Sequence, residues 1–387
     1  VKKAVLIPIF AVFSVMLLLY PQNCIRSAQN GLNLWLYTVL PALFPFMVSS
    51  FMMLETGIVR LMSFFFAPVT RALLGVPGEG AYVFMASLMS GYPVGARLAG
   101  ELYAKGHINE PDAQRIICFT SVAGPVFLTG AIGTAMLNAP YAGIYLASAH
   151  YLSAFITGIF LRVLKKRVYF SGAPKLKLGD ALRRFKSDAA ACPSIGAMMS
   201  ESVEKSLRTL LKIGGFVILF SVIIEILEVT GVMRALNVLY SPVFGLAGLD
   251  SNASRAILSG GIEITAGCAK IAALSAGMEF KLLLVSSVVA FGGACVQMQT
   301  RAVLADSGLK PKRFLLAKSL HSIICVMLIT LFLALFPLAD YASSLKPEDT
   351  KTAAFGGVIF AALSLSALLF IKLWQSRIRK TAFPSAG

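Results

Sequence analysis

Polar chemistry is scarce in this chain. Its 387 residues include three histidines, two tryptophans and 18 acidic residues, and charged side chains of both signs amount to 14%. No segment reads G-x-S-x-G, H-E-x-x-H or as a Walker-type phosphate loop, and no triad-like set of nucleophile and base can be assembled. The chain is therefore read as no enzyme, and no catalytic residue is nominated. The six cysteines (Cys24, Cys118, Cys192, Cys268, Cys295, Cys325) are scattered, mostly within apolar segments, with no C-x-x-C pair and no His/Cys cluster. That pattern excludes a disulfide framework and a zinc site, and neither a metal nor a cofactor is expected. Buried cysteine then acts as a small hydrophobe. The apolar–polar alternation of an outer-membrane barrel is also missing.

What the chain has is hydrocarbon. Hydrophobic residues make up 57% and the mean hydropathy is +0.78. Apolar runs recur from end to end, each long enough to cross a bilayer core of roughly 30 Å. The fold class is all-α, a polytopic membrane protein. The net charge of +17 lies in loops between apolar runs, which is the positive-inside pattern. It points to membrane lipids as partners and away from nucleic acid.

Lys2 and Lys3 precede an apolar run from Ala4 to Tyr20 that ends at Pro21. No small-x-small cleavage site follows, so the run is read as a first transmembrane helix with a cytoplasmic N-terminus. Between Arg162 and Asp188 nine Lys/Arg face two Asp, the mark of a cytoplasmic linker. Residues 189–206 read as an amphipathic helix on the membrane surface. The resulting division is an N-terminal helix at 1–26, a repeat at 27–165, a basic linker at 166–201, a second repeat at 202–337, and a C-terminal helix with basic tail at 338–387.

The repeats rest on a collinear set of matches. Glu55-Thr56-Gly57 recurs as Glu228-Val229-Thr230-Gly231 with one insertion, and Pro68, Gly95, Gly124 and His150 match Pro242, Gly267, Gly293 and His321. A basic linker and a basic C-terminus (Lys372, Arg377, Arg379, Lys380) on one side require each repeat to cross an odd number of times, so the repeats are inverted. Five elements apiece satisfy this: 31–54, 60–75, 80–104, 113–137 and 142–164, then 207–229, 233–248, 254–276, 282–305 and 314–337. Three crossings with re-entrant pieces fit equally. Inverted repeats with interrupted helices at matching positions are the signature of transporters, whose sites lie near the bilayer midplane.

Ser90-Gly91-Tyr92-Pro93-Val94-Gly95-Ala96-Arg97 breaks one apolar segment at its centre. Proline removes a donor, glycine raises the cost of order, and lipid cannot satisfy the freed peptide groups. The stretch is read as one wall of an intramembrane site, the alternative being a kink used only for packing. Substrate-binding candidates here are Ser90, Gly91, Tyr92, Pro93, Gly95 and Arg97, with Gly124 and Pro125 in the next broken segment. The second half offers Glu263 and Thr265 within Gly260-Gly261-Ile262-Glu263-Ile264-Thr265-Ala266-Gly267, and then Gln297 and Gln299. A buried carboxylate must be paired, protonated or wet, and Arg97 is its expected partner across the pseudo-twofold. Amides both donate and accept, which suits a neutral polar ligand, although they also join helices. Glu263, His150 and His321 are the candidates for proton coupling, the alternative for the histidines being hydrogen bonds to neighbouring helices.

The G-Y-P-V-G stretch at 91–95, Gly124-Pro125 and the twofold repeat together resemble the YlbJ-type sporulation integral membrane proteins, which carry two nucleoside-recognition (Gate) domains. The resemblance covers about residues 27–337. It implies an endospore-forming source, a part in forming the spore cortex, and a multi-pass protein with both termini cytoplasmic in the mother-cell or outer forespore membrane. The expected activity is to move, or gate the movement of, a small polar solute or envelope precursor, nucleoside-like solutes included. The rival reading is a non-transport scaffold or regulator of spore-envelope assembly. Other sporulation membrane proteins or a second copy of the chain are further expected partners. One departure stands out: the second repeat lacks the proline of G-Y-P-V-G and carries Glu263 instead, so the two halves offer unlike groups.

Overall fold

The computed structural model describes residues 3–163, 178–246 and 248–338. Residues 164–177 of the expected linker and the expected last helix, from 339 onward, lie outside the described residues. Every regular element among the described residues is helical. Among the described residues five helices are long and apolar enough to cross a membrane: Pro21–Glu55, Pro140–Val163, Ile195–Val229, Met278–Leu304 and Phe314–Leu335. The chain is a multi-pass membrane protein.

The first half begins with α1 (Lys3–Leu19) and α2 (Pro21–Glu55). Residues 21–30, which precede the element expected at 31–54, are helical. Pro21 sits at the first helical turn, where its missing N–H is no loss. The polar face of that segment is used against the second half, through Ser27 Oγ donating to the Ser221 carbonyl (2.8 Å) and Asn23 donating to Glu225 (3.1 Å). Then α3 (Ile58–Val69) continues through a π turn at Thr70–Leu74. The chain bends by 108° between Phe64–Leu74 and Gly78–Ser90, so the element at 60–75 does not run on into the next one.

The break in the third element reverses the chain. Helices α4 (Gly78–Ser90) and α5 (Val94–Ala104) meet at Gly91, whose φ of 70° and ψ of −173° belong to glycine alone. Residues 87 and 95 would lie ~12 Å apart on a continuous helix, yet Gly95 packs directly on the Ser87 side chain. The pair is a helical hairpin. Then follow α6 (Glu110–Thr120), an open stretch at 121–124, the π-helical α7 (Phe127–Met136) and α8 (Pro140–Val163).

The second half repeats the order. After α9 (Leu178–Ala190) comes α10 (Ile195–Val229), one unbroken helix of 35 residues. The surface helix expected at 189–206 is therefore split: its first residues end α9, Pro193 lies in the gap, and the rest run straight into a span. Helices α11 (Val232–Leu246), α12 (Ser251–Ile262) and α13 (Ile264–Ala272) follow. Lys270 Nζ donates to Ser259 Oγ at 2.8 Å. Eleven residues of straight helix would separate them by ~16 Å, so α12 and α13 form a second hairpin. Last come α14 (Met278–Phe291), α15 (Gly293–Leu304) and α16 (Phe314–Leu335). Each half thus contains one helical hairpin, at 78–104 and at 251–272.

The largest core joins α7 and α8 to α12, α14 and α16 through Leu128, Ile132, Leu146, Ile257, Leu282, Val285, Val326 and Ile329. Both halves thus share one interior, and small residues on α8 (Ala142, Gly143, Ala149, Ser153, Ala154) let neighbouring backbones close in.

Candidate functional site

The two hairpin tips are held against the broken helices of their own halves. A methyl on Gly91 would lie 2.5 Å from the Gly124 amide nitrogen, and one on Gly293 would lie 2.8 Å from the Gly260 carbonyl oxygen. Only glycine allows such backbone contact.

Between the tips lies a cavity of about 50 Å³. Its polar lining comes from both halves: Ser90, Tyr92, Glu263, Thr265 and Gln299, with Gly91 and Gly124 backbone. Phe46, Met47, Met89, Phe127 and Val217 supply apolar walls. The sequence-nominated residues Ser90, Gly91, Tyr92, Gly124, Glu263, Thr265 and Gln299 are thereby brought together. The others are not: Pro93, Gly95, Pro125 and Gln297 lie beside the breaks without lining the cavity.

Glu263 occupies the second tip. Its backbone is extended (φ −139°, ψ 121°), which ends α12 and starts α13. The side chain curls forward to accept from the Thr265 amide (3.0 Å) and the Ala266 amide (2.6 Å), and the residue is 1% exposed. Two orphan donors at a helix N-terminus, with the positive end of its dipole, hold a carboxylate that has no basic partner among the described residues. Arg97 is not that partner. Its Nε pairs with Glu101 at 2.9 Å and its side chain is 64% exposed, because the hairpin reversal carries α5 away from the cavity.

Several polar groups at the cavity are free. Among the described residues Ser90 Oγ and the Tyr92 hydroxyl are buried with no hydrogen-bond partner, as is Gln297 Nε2 nearby. Gln299 Nε2 meets Cys295 Sγ, at 3.2 Å. Unpaired buried polar atoms on this scale call for an occupant or for water.

His150 and His321 stack in the interior, with ring centroids 4.6 Å apart. His321 Nε2 donates to the His150 carbonyl (2.9 Å), and His150 Nε2 accepts from the Ala123 amide (2.9 Å). These partners assign His321 the Nε2–H tautomer and His150 the Nδ1–H tautomer. Lys318, not nominated from sequence, completes the group. It is 0% exposed, and its Nζ donates to the Ser121 carbonyl (2.9 Å) and to His321 Nδ1 (3.2 Å). The ammonium sits where α6 ends at Ser121, while its Cε lies 3.3 Å from where a methyl on Gly292 would be, at the end of α14. Two helix C-termini, each with partial negative charge, take the part of a counter-ion. With Tyr151 donating to the Ala123 carbonyl (3.1 Å), the cluster satisfies the open stretch at 121–124. The sequence signal was a lysine three positions before a histidine in an apolar run, which puts both on one helix face.

The nucleoside recognition (Gate) family matches residues 36–161 and 210–348. The sporulation integral membrane protein YlbJ of Bacillus subtilis (strain 168) is 31% identical over 355 residues, covering 87% of this chain and 86% of its own length. No solved structure matches. The chain belongs to the Gate family, in the company of this sporulation protein.

Proposed function

We propose, from membership of this family, that the chain moves or gates a small polar solute through the membrane at the cavity between the two hairpin tips. The observation that carries this is the convergence of both tips on one hollow, where Ser90 Oγ and the Tyr92 hydroxyl lack partners among the described residues. At about 50 Å³ the hollow has room for a few waters, each needing roughly 10–15 Å³. Sites for nucleoside-sized ligands are several times larger, ~300 Å³ or more. The arrangement is therefore read as a closed-down state, and passage requires the tips to part. The moving units on this reading are the repeats at 27–165 and 202–337. Inversion of the two repeats supplies alternating access.

Glu263, Gln299, Ser90 and Tyr92 present the mixed donors and acceptors that a neutral solute such as a nucleoside or an envelope precursor needs. Glu263 is the preferred proton-coupling group, and His150 and His321 hold the 121–124 stretch in register. The name of the B. subtilis relative supports a role in sporulation, in spore-cortex formation on our reading, with cytoplasmic termini and no enzymatic activity.

The test is thermal unfolding of the purified full chain with nucleosides, amino acids and cell-wall precursors. A bound ligand raises stability by about 2.7 kcal/mol at a hundredfold excess over Kd. One class should give a saturable rise that Glu263→Gln and Gln299→Ala abolish. No rise with any class, or a rise indifferent to both substitutions, removes the transport reading and leaves the scaffold.

A further inference from the structure

A second set of unpaired polar groups lies away from the hollow, at the base of the first hairpin. Arg71 comes from the π turn after α3, Arg115 from α6 and Arg162 from the last turn of α8. All three converge on the connection Gly75–Gly78. A methyl on Gly75 would lie 3.2 Å from Arg162 Nε and 3.3 Å from Arg115 Nη1, and one on Gly78 would lie 2.9 Å from Arg71 Nη2. The connection can pass this close because neither glycine has a side chain, and Gly75 is left-handed (φ 61°).

Among the described residues one carboxylate pairs with any of the three guanidinium groups. Asp112, itself buried, pairs with Arg115 Nη2. Arg115 Nε and Nη1 are buried with no acceptor, and neither Arg71 nor Arg162 has a hydrogen bond or ion pair among the described residues. Residues 164–177, which follow directly, contain no Asp or Glu. The next basic connection, Lys310–Arg313, is tied alongside by Gln114, which donates to the Lys310 carbonyl at 2.5 Å. Guanidinium groups gathered in this way repel one another, and their sheltered N–H groups need acceptors.

We propose that Arg71, Arg115 and Arg162 form a binding site for a phosphate group. A phosphate brings several oxygens and the missing negative charge together, and the arginine fork matches it bidentately. Arg162 is the penultimate residue of a spanning helix, which sets the site at the edge of the hydrocarbon, the level of phospholipid headgroups. Phe66, Val69 and Leu73, exposed beside Arg71, give acyl chains a surface to lie on. The same chemistry would serve a soluble phosphate. In either case the ligand ties the π turn after α3, the hairpin base, α6 and the end of α8 together.

The experiment uses the full chain, delipidated in a non-ionic detergent, and follows thermal unfolding. The probes are sodium phosphate, sodium chloride at matched ionic strength, short-chain phosphatidylglycerol and phosphatidylcholine of the same chain length. A saturable rise with phosphate points to a soluble phosphate, and a rise with phosphatidylglycerol alone points to the headgroup. Either rise should exceed that with chloride or phosphatidylcholine and vanish in the Arg71→Gln/Arg162→Gln variant. Neither residue has a partner to lose among the described residues, so this variant should unfold no earlier than the parent without ligand. Arg162→Lys keeps the charge without the fork and should raise the apparent Kd about tenfold. No rise with either phosphate probe, or a rise unchanged in the double variant, overturns the proposal.

Discussion

Glu263 and Lys318 are the two buried charges that matter most, and they are stabilised alike, by helix ends instead of by each other. Glu263→Ala strips the cap from α13 and should cost about 1 kcal/mol, lowering the unfolding midpoint by a few degrees. Glu263→Gln keeps one acceptor and should cost less while removing ligand response, so the two variants separate folding from binding. Lys318→Met leaves the Ser121 carbonyl and His321 Nδ1 buried without partners. Each orphan costs about 1–3 kcal/mol, so the midpoint should fall further than in Glu263→Ala. Glu263 stood out in the sequence because glycines flank it in an apolar run. Lys318 did not, since one lysine near the start of a long apolar helix reads as a residue that snorkels to the surface. Arg97 misled for the opposite reason: adjacency to the break suggested a shared site, but one helical turn past a reversal the side chain points elsewhere.

At the scale of elements, the breaks were legible and their angles were not. Glycine and proline announce that hydrogen bonding stops at 91–95 and near 263, yet a kink and a reversal use the same residues. What separates them is the contact between residues 87 and 95, or 259 and 270, and no local pattern encodes that. The hairpins yield a graded prediction. Gly91→Ala meets both a glycine-only conformation and the Gly124 backbone. It should destabilise by at least about 2 kcal/mol. Gly293→Ala, at φ 58° and 2.8 Å from the Gly260 oxygen, should cost somewhat less. Gly215→Ala, with open space around it in α10, should be neutral or stabilising by up to about 1 kcal/mol. Unfolding midpoints of the three variants check the order.

Across the whole molecule, the two halves are clasped at the level of the basic connections. Lys312 Nζ pairs with Glu110 at 2.8 Å, and the Lys312 amide donates to Gln114 at 3.0 Å. The Lys312 ammonium, by hydrogen bond and charge, holds the Glu110 carboxyl below its ordinary value. A depressed carboxylate contributes above its unfolded value and loses that contribution as pH falls through the folded one. Hydrogen exchange around 105–110 and 309–313 should therefore quicken below pH ~4. Glu110→Gln should exchange at the quickened rate at neutral pH and lose the acid dependence. Pairing across some 200 positions is invisible to sequence periodicity, whereas the class of protein and the doubling of the fold were visible in the hydropathy and in the matched glycines.

At Gly91–Gly124 and at Gly293–Gly260 the hairpin tips meet their seats backbone to backbone. Surfaces of that kind can shear by a fraction of an ångström while every rotamer stays where it is. They behave there as a plain bearing and not as meshed gears, and the side chains of Tyr92 and Ile264, packed in the shared core, set how far a tip can slide.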